Sequence, residues 1–212
     1  MGASKRIWLL FFPAAALLVF HAAGVIAPYR DSGEFVLAAR FLNVPHPPGY
    51  PFYALLARLW TELIPFGTTA YRLNILSAFA AALAFPAGIF FLTRYFQVSF
   101  TAAFISMSLF LFSNPVLGLS AVSEMYTVGL LLLILILICT HEGLRDPRYW
   151  LLAAMLAPLA LGTRMDLALS ENRSNNSSSR LKLSKSLLIL AENAGMRLCL
   201  LSRLCSSCST AA

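Results

Sequence analysis

The sequence predicts an all-α integral membrane protein of about five transmembrane helices, whose first outer loop carries two short interfacial helices. Hydrophobic residues make up 59% of the chain and charged residues only 12%, whereas a soluble domain has about 25% charged residues. The apolar runs are continuous rather than alternating. Because only helices and closed barrels satisfy the backbone in lipid, continuous runs favour helices.

The predicted spans follow the apolar runs in chain order. Lys5 and Arg6 precede the first run, at about residues 7–27, which is longer than the apolar part of a signal peptide and predicts an uncleaved span. The positive-inside rule then predicts a cytoplasmic N-terminus and an extracytoplasmic loop over residues 28–70. The other spans are predicted at about residues 71–95, 98–113, 117–140 and 149–168.

Two short helices are predicted inside the outer loop, at about residues 32–42 and 52–64. In the second, apolar side chains recur at helical spacing on one face, while Arg58 and Glu62 lie four residues apart on the other. This pattern is typical of a helix that lies at the membrane surface. The hexamer HPPGYP, residues 46–51, predicts a rigid turn between them, because proline and glycine interrupt helices.

The loop contains two pairs of candidate functional residues. Asp31 and Glu34 have the spacing of a helix capping box, and they are equally candidates for a catalytic carboxylate and its helper. Partial burial at a lipid boundary raises a carboxyl pKa toward neutrality, which suits a general base. His46 and Tyr50 either contact a ligand or belong to a stiff connector.

Further candidates for substrate binding lie near the second and fourth predicted spans. Arg72, with Asn74 beside it, either holds a phosphate or only reaches the lipid headgroups. Glu124 lies inside the predicted fourth span, where an ionisable group is costly and by default a functional hypothesis, or it is only interfacial if that span begins later. Tyr126 either lines the same cavity or packs against it.

The charge distribution and the cysteines bear on two other functions, nucleic-acid binding and metal binding. The net charge of +7 is concentrated in the C-terminal part, without a basic patch interleaved with aromatic residues, so nucleic-acid binding is not predicted. Cys205 and Cys208 form a single CxxC, a weak metal signal, and we predict no cofactor, although a divalent metal is compatible with the sequence. Residues 170–212 are Ser/Asn-rich and basic, and we interpret them as a low-complexity tail, either disordered or frameshift-derived.

Two segments of the chain resemble a known family. DSGEFVLAARFLNVPHPPGYPFYALLARLW, followed by PFGTTAYRLNILSAFAAALA, closely resembles the N-terminal part of the bacterial membrane family known as domain of unknown function 2723. AVSEMYTVGLLLL resembles that family's fourth-span motif. The family is similar to protein O-mannosyltransferases of the GT-C glycosyltransferase superfamily. The resemblance covers about residues 7–166 and implies that residues 1–166 are the N-terminal part of a GT-C-like transmembrane domain.

The resemblance implies a glycosyltransferase that moves a sugar such as mannose from a polyprenyl-phosphate donor to a hydroxyl acceptor, such as a protein Ser or Thr. The expected location is the extracytoplasmic face of a bacterial inner membrane. Asp31 is then the catalytic carboxylate, Glu34 its helper, and Arg72 the candidate for the leaving phosphate. Family members are much longer, so we expect a truncated N-terminal fragment.

Two alternatives stay open at the level of sequence. The first is a catalytically inactive membrane fragment that acts as a binding or assembly subunit. The second is a transporter, which is less favoured because its polar groups would lie near the bilayer midplane. Here they cluster in one outer loop.

Overall fold

The structure is a computed structural model that describes residues 6–22, 30–47 and 49–163. In this part of the chain every regular element is helical. A 3₁₀ turn at Trp8–Leu10 leads into α1, and the helices are α1 Phe11–His21, α2 Ser32–Phe41, α3 Pro51–Leu63, α4 Thr69–Tyr95, α5 Phe100–Leu111, α6 Asn114–Ser120, α7 Tyr126–Gly143 and α8 Arg148–Thr163.

Two helices, α4 and α7, are long and apolar enough to cross a membrane, by length and composition. Helices α5 and α6 pass the same test together, but they are bent by 67° at their junction, so the described residues hold two or three candidate spans. The apolar helix at Trp8–His21 is shorter than a full span. The count of five predicted spans is therefore matched only in part.

Helix α4, with 27 residues, is the central element: helices α1, α2, α3, α5, α6 and α7 pack on it, whereas α8 packs on α7 and α3. Ala78, Ala81 and Ala82 are completely buried along it. Small side chains allow helix backbones to approach closely in a membrane, where helices gain little from the hydrophobic effect. One side of α4 packs with α1 and α5, and another packs with α2, α3 and α7.

The α2–α3 hairpin packs on α4 through aromatic rings. Phe35 of α2 and Tyr53 of α3 are both fully buried, with their ring centroids 4.9 Å apart in an edge-to-face arrangement. The chain turns between them through Leu42, Gly49 and Tyr50, whose φ angles are 52°, 93° and 42°. A left-handed backbone is costly for leucine and tyrosine, so packing must hold this turn in place.

The structure differs from the sequence prediction at the fourth span. The prediction runs from 117 to 140 without a break, whereas α6 ends at Ser120 and α7 begins at Tyr126. Glu124 therefore lies in a non-helical segment before α7 and not inside a span. Side chains of α4 bond to this segment and compensate for its lost helical hydrogen bonds. The predicted tail, residues 170–212, lies outside the described residues.

Candidate active site

His46 joins the two acidic residues of the outer loop. Its ring Nδ1 lies 2.7 Å from Glu34 Oε2, and its backbone N–H donates to the same oxygen at 3.2 Å. The other ring nitrogen, Nε2, lies 3.7 Å from Asp31 Oδ2. The imidazole thus sits between two carboxylates. The capping box that the spacing allows is not formed, because Asp31 makes no side-chain cap bond and Glu34 turns to His46.

The Glu34–His46 contact shifts the pKa values of both side chains. The hydrogen bonds from His46 lower the pKa of Glu34, and the hydrogen bond to Glu34 raises the pKa of His46, with further support from the charge of Asp31. Both side chains are largely exposed, so the effect on stability is small. The consequence is local: the imidazole is protonated, and oriented beside Asp31, over a wider pH range than a free histidine.

Glu124 lies beneath this cluster and is completely buried. The Ser32 hydroxyl donates to its Oε1 at 3.5 Å, which connects it to the first residue of α2. Burial, with the nearby charge of Asp31, raises the pKa of Glu124 to about 7, although the Asp31 peptide N–H and Arg30 oppose the shift. A carboxyl that titrates near neutrality next to a second carboxyl is a frequent feature of functional sites.

Polar side chains of α4 hold the Glu124 segment in place. Ser77 Oγ donates to the Glu124 carbonyl at 3.2 Å and accepts its N–H at 3.4 Å. Ser123 Oγ donates to Asn74 Oδ1 at 2.6 Å. Asn74 is buried and therefore reaches the cluster through Ser123. In this structure Asn74, a predicted site residue on α4, therefore supports the Glu124 segment.

The buried polar atoms Glu124 Oε2 and Thr127 Oγ1 have no hydrogen-bond partner among the described residues, whereas Tyr53 Oη lies beside the Ser77 hydroxyl. Burial and the charge of Glu124 raise the pKa of Tyr53, so the phenol and the carboxyl lie near one another. Buried polar groups are ordinarily paired. Unpaired atoms beside a buried carboxyl therefore favour a site that accepts a further polar group over a purely structural core.

Arg30 belongs to the cluster although the sequence analysis did not select it. Its Nη1 donates to the Tyr126 hydroxyl at 3.0 Å, and its guanidinium carbon lies 5.6 Å from the centre of that ring. Its φ of 47° is left-handed, which is unfavourable for arginine and common at functional sites. The available signal was its position directly before Asp31, at the edge of an apolar run, where an arginine is usually a headgroup anchor.

Tyr50 closes the cluster on the side of the turn. Its ring lies 5.7 Å from the His46 ring and 5.5 Å from the Phe35 ring, in both cases edge to face. Tyr50 is buried and has a left-handed φ. It directly precedes Pro51, the first residue of α3. The HPPGYP turn therefore positions the imidazole and the phenol together.

Arg72 is placed differently from the other predicted site residues. Its guanidinium donates to backbone carbonyls, from Nε to Phe66 and Gly67 at 3.1 Å and from Nη1 to Thr61 at 2.8 Å. It faces a separate cavity that also contains Arg40, from the last turn of α2. Asp31 precedes the first turn of α2, so about 14 Å of helix separates the two places.

Within the described residues, no group of three or more His, Cys, Asp or Glu side chains is arranged to hold a metal ion. The cluster offers carboxylates, an imidazole and a guanidinium, which can exchange a proton with a hydroxyl and face an anion.

A helical bundle with an acidic cluster between its α2–α3 hairpin and its central helix is the architecture of an integral membrane protein with a candidate functional site. Comparison with known proteins gives the family. The chain belongs to the family of the protein O-mannosyl-transferase TMEM260 N-terminal domain, whose profile matches residues 31–170. The matched region begins at Asp31 and includes the cluster, apart from Arg30.

Two curated relatives carry the same name. The chain is 38% identical over 103 residues to Protein O-mannosyl-transferase TMEM260 of Mus musculus, which covers 48% of this chain and 14% of the relative. It is 32% identical over 56 residues to Protein O-mannosyl-transferase tmem260 of Dictyostelium discoideum, covering 26% and 7%. The chain thus spans a small part of the length of these relatives. No solved structure matches it.

Proposed function

We propose that the chain is the N-terminal part of a membrane mannosyltransferase. It would use a polyprenyl-phosphate mannose donor and a hydroxyl acceptor, such as a protein Ser or Thr, at the extracytoplasmic face. The observation that carries the proposal is the cluster in the outer loop, where Asp31 lies 3.7 Å from the imidazole that Glu34 holds. The names of the two curated relatives support the sugar and the acceptor.

The proposed chemistry is one inverting displacement. The acceptor oxygen attacks the anomeric carbon of the mannose while Asp31 takes its proton. The bond from that carbon to the phosphate oxygen breaks, and the polyprenyl phosphate leaves with the electron pair. Asp31 suits the role of base because its side chain is 36% exposed, whereas Glu124 is buried and reaches the reaction only through Ser32 and the Asp31 backbone.

The leaving phosphate needs a cation or hydrogen-bond donors. Arg30 adjoins Asp31 and is oriented by Tyr126, so we assign it this role in preference to Arg72, which faces the other end of α2. The donor lipid and the acceptor would meet against the α2–α3 hairpin, and their proximity supplies much of the rate. The extracytoplasmic orientation and the bacterial inner membrane are predictions from sequence, and the two relatives named above come from eukaryotes.

A second candidate function is a catalytically inactive subunit that binds or assembles with other membrane proteins. The matched segments cover 14% and 7% of the two curated relatives, so the activity in their names is itself a proposal for this chain.

A transfer assay separates the two functions. Membranes that contain the chain are incubated with polyprenyl-phosphate mannose and a Ser/Thr peptide, and mannosylated peptide is measured by mass spectrometry. Transferase function predicts product that requires the lipid-linked donor, with the anomeric configuration opposite to that of the donor. A correctly inserted chain that yields no product supports the assembly function, and a retained configuration would contradict the single displacement.

A further inference from the structure

A second polar cavity of about 420 Å³ lies at the end of the α2–α3 hairpin that is remote from Asp31. Arg40 of α2, Arg58 of α3 and Arg72 of α4 line it. Glu62, which pairs with Arg58, is the acidic residue in its wall. Three guanidinium groups against one carboxylate leave the cavity with net positive charge.

Bonds to backbone carbonyls hold the side chains of Arg58 and Arg72 in place. Arg72 donates to three carbonyls at 2.8 to 3.1 Å, and Trp60 Nε1 in turn donates to the Arg72 carbonyl at 2.8 Å. Arg58 Nη1 donates to the Arg40 carbonyl at 2.7 Å, which ties the ends of α2 and α3 together. Charged groups that are fixed before a ligand arrives lose little conformational entropy when they bind it.

The N-terminus of α4 opens into the same cavity. Thr68 and Thr69, the cap and first residue of this 27-residue helix, are part of the wall. The first N–H groups of a helix lack partners inside it, and the helix dipole adds partial positive charge there. This partial charge has the same sign as the charge of the arginines, so both favour the binding of an oxyanion.

An exposed apolar stripe runs beside the cavity along α3. Leu55, Leu59 and Leu63 are 62%, 57% and 67% exposed. At about 100° per residue they lie directly beside Arg58 and Glu62 on the helix surface, while the opposite face of α3 is buried on the bundle. A positive cavity next to a leucine stripe matches a molecule with an anionic head and a hydrocarbon tail.

We propose that this cavity binds the phosphate group of an anionic membrane phospholipid, whose acyl chains lie along the leucine stripe of α3. The bound lipid fixes the α2–α3 hairpin at the membrane surface. The site is distinct from the Asp31 cluster and does not take part in sugar transfer. It rests on the proposed position of the hairpin at the membrane surface, but not on the chemistry proposed for the cluster.

The test is lipid binding by the purified full chain in neutral detergent. Short-chain phosphatidic acid, the matching phosphatidylcholine and inorganic phosphate are titrated separately, and bound lipid is counted by native mass spectrometry. We expect saturable binding of phosphatidic acid that is at least about tenfold tighter than that of phosphatidylcholine, since each charged hydrogen bond contributes strongly. In a chain with Trp8→Phe and Trp150→Phe, the fluorescence of Trp60, which donates to the Arg72 carbonyl, should change over the same concentrations.

Variants locate the binding site. The double change Arg40→Gln and Arg58→Gln should weaken phosphatidic acid binding about tenfold or more. Arg148→Gln is the matched control, because it removes an exposed arginine at the start of α8. Asp31→Asn should bind the lipid normally, which separates this proposal from the transferase function. If the double glutamine variant does not fold, the double lysine variant keeps both charges but loses the planar fork, and a weaker loss of affinity is expected.

Three results would overturn the proposal. In the first, the double variant, glutamine or lysine, binds phosphatidic acid as tightly as the wild type. In the second, inorganic phosphate binds as tightly as the lipid, so that the acyl chains contribute nothing. In the third, Asp31→Asn abolishes the binding, which would place the phosphate at the cluster instead.

Discussion

His46 lies between two carboxylates, and this residue-scale contact shapes the candidate site. The spacing of Asp31 and Glu34 on the sequence suggests a capping box or a catalytic pair, but the partner of Glu34 comes from 12 residues further along. Between α2 and His46 the backbone is left-handed at Leu42, the residue that caps the end of the helix. Residue types and spacing therefore select the candidate groups, whereas their pairing follows from a turn whose path the sequence does not reveal.

The first residue-scale prediction concerns the titration of His46. We expect the imidazole pKa, measured by NMR, to lie above 6.5, and Glu34→Gln to lower it toward that value. The ion pair should be lost as pH rises through the raised pKa of His46, and also as pH falls through the lowered pKa of Glu34. Glu62→Gln, on α3, is the control. An unchanged imidazole pKa in Glu34→Gln would contradict the contact.

A second prediction at this scale concerns the pH dependence of stability. Between pH 4.5 and about 7, unfolded Glu124 has lost its proton while the folded chain keeps it, so stability should fall as pH rises, by at most about 1.4 kcal/mol per unit. Asp31, Arg30 and His46 are charged groups that interact with this carboxyl. Glu124→Gln removes this titration. The melting temperature of the variant should therefore rise relative to that of the wild type as pH increases over this window. A constant difference across the window would refute the assignment.

At the scale of elements, patterns that repeat along a helix were predicted well. The four-residue spacing of Arg58 and Glu62 predicts a shared face, and the two side chains form an ion pair on α3. Helix α4, at Thr69–Tyr95, lies close to the predicted span at 71–95. The break before α7 was not predicted, because Ser77 and Asn74 of α4 stabilise it through bonds that only the folded chain brings together.

Gly162 provides the element-scale prediction. A Cβ atom at this position of α8 would lie 2.8 Å from Phe52 Cβ at the start of α3. Gly162→Ala should therefore push α8 away from α3 and destabilise the chain by about 1–3 kcal/mol, measured as a lower melting temperature. Gly118→Ala is the matched control, because nothing lies within 4 Å of its Cβ position. Equal melting temperatures for the two variants would show that this helix contact is not tight.

At the scale of the whole molecule, composition was sufficient to predict a helical membrane protein but insufficient to predict its number of membrane spans. An apolar fraction of 59% predicts membrane helices, and the described residues are a helical bundle around α4. Hydropathy alone does not show that α5 and α6 meet at 67° or that the helix at Trp8–His21 is short. Arg30 was missed for a related reason, since its role depends on Tyr126, 96 residues away along the chain.

The most direct test of the central claim, that Asp31 is the base of a mannosyltransferase site, is one comparison in the transfer assay. Asp31→Asn is measured beside Asp146→Asn, the same chemical change in the loop between α7 and α8, where asparagine can accept the Arg148 N–H as aspartate does. We predict that Asp31→Asn reduces mannose transfer by about 100-fold or more, while Asp146→Asn keeps the wild-type rate. Transfer at the wild-type rate by a correctly inserted Asp31→Asn chain would contradict the account.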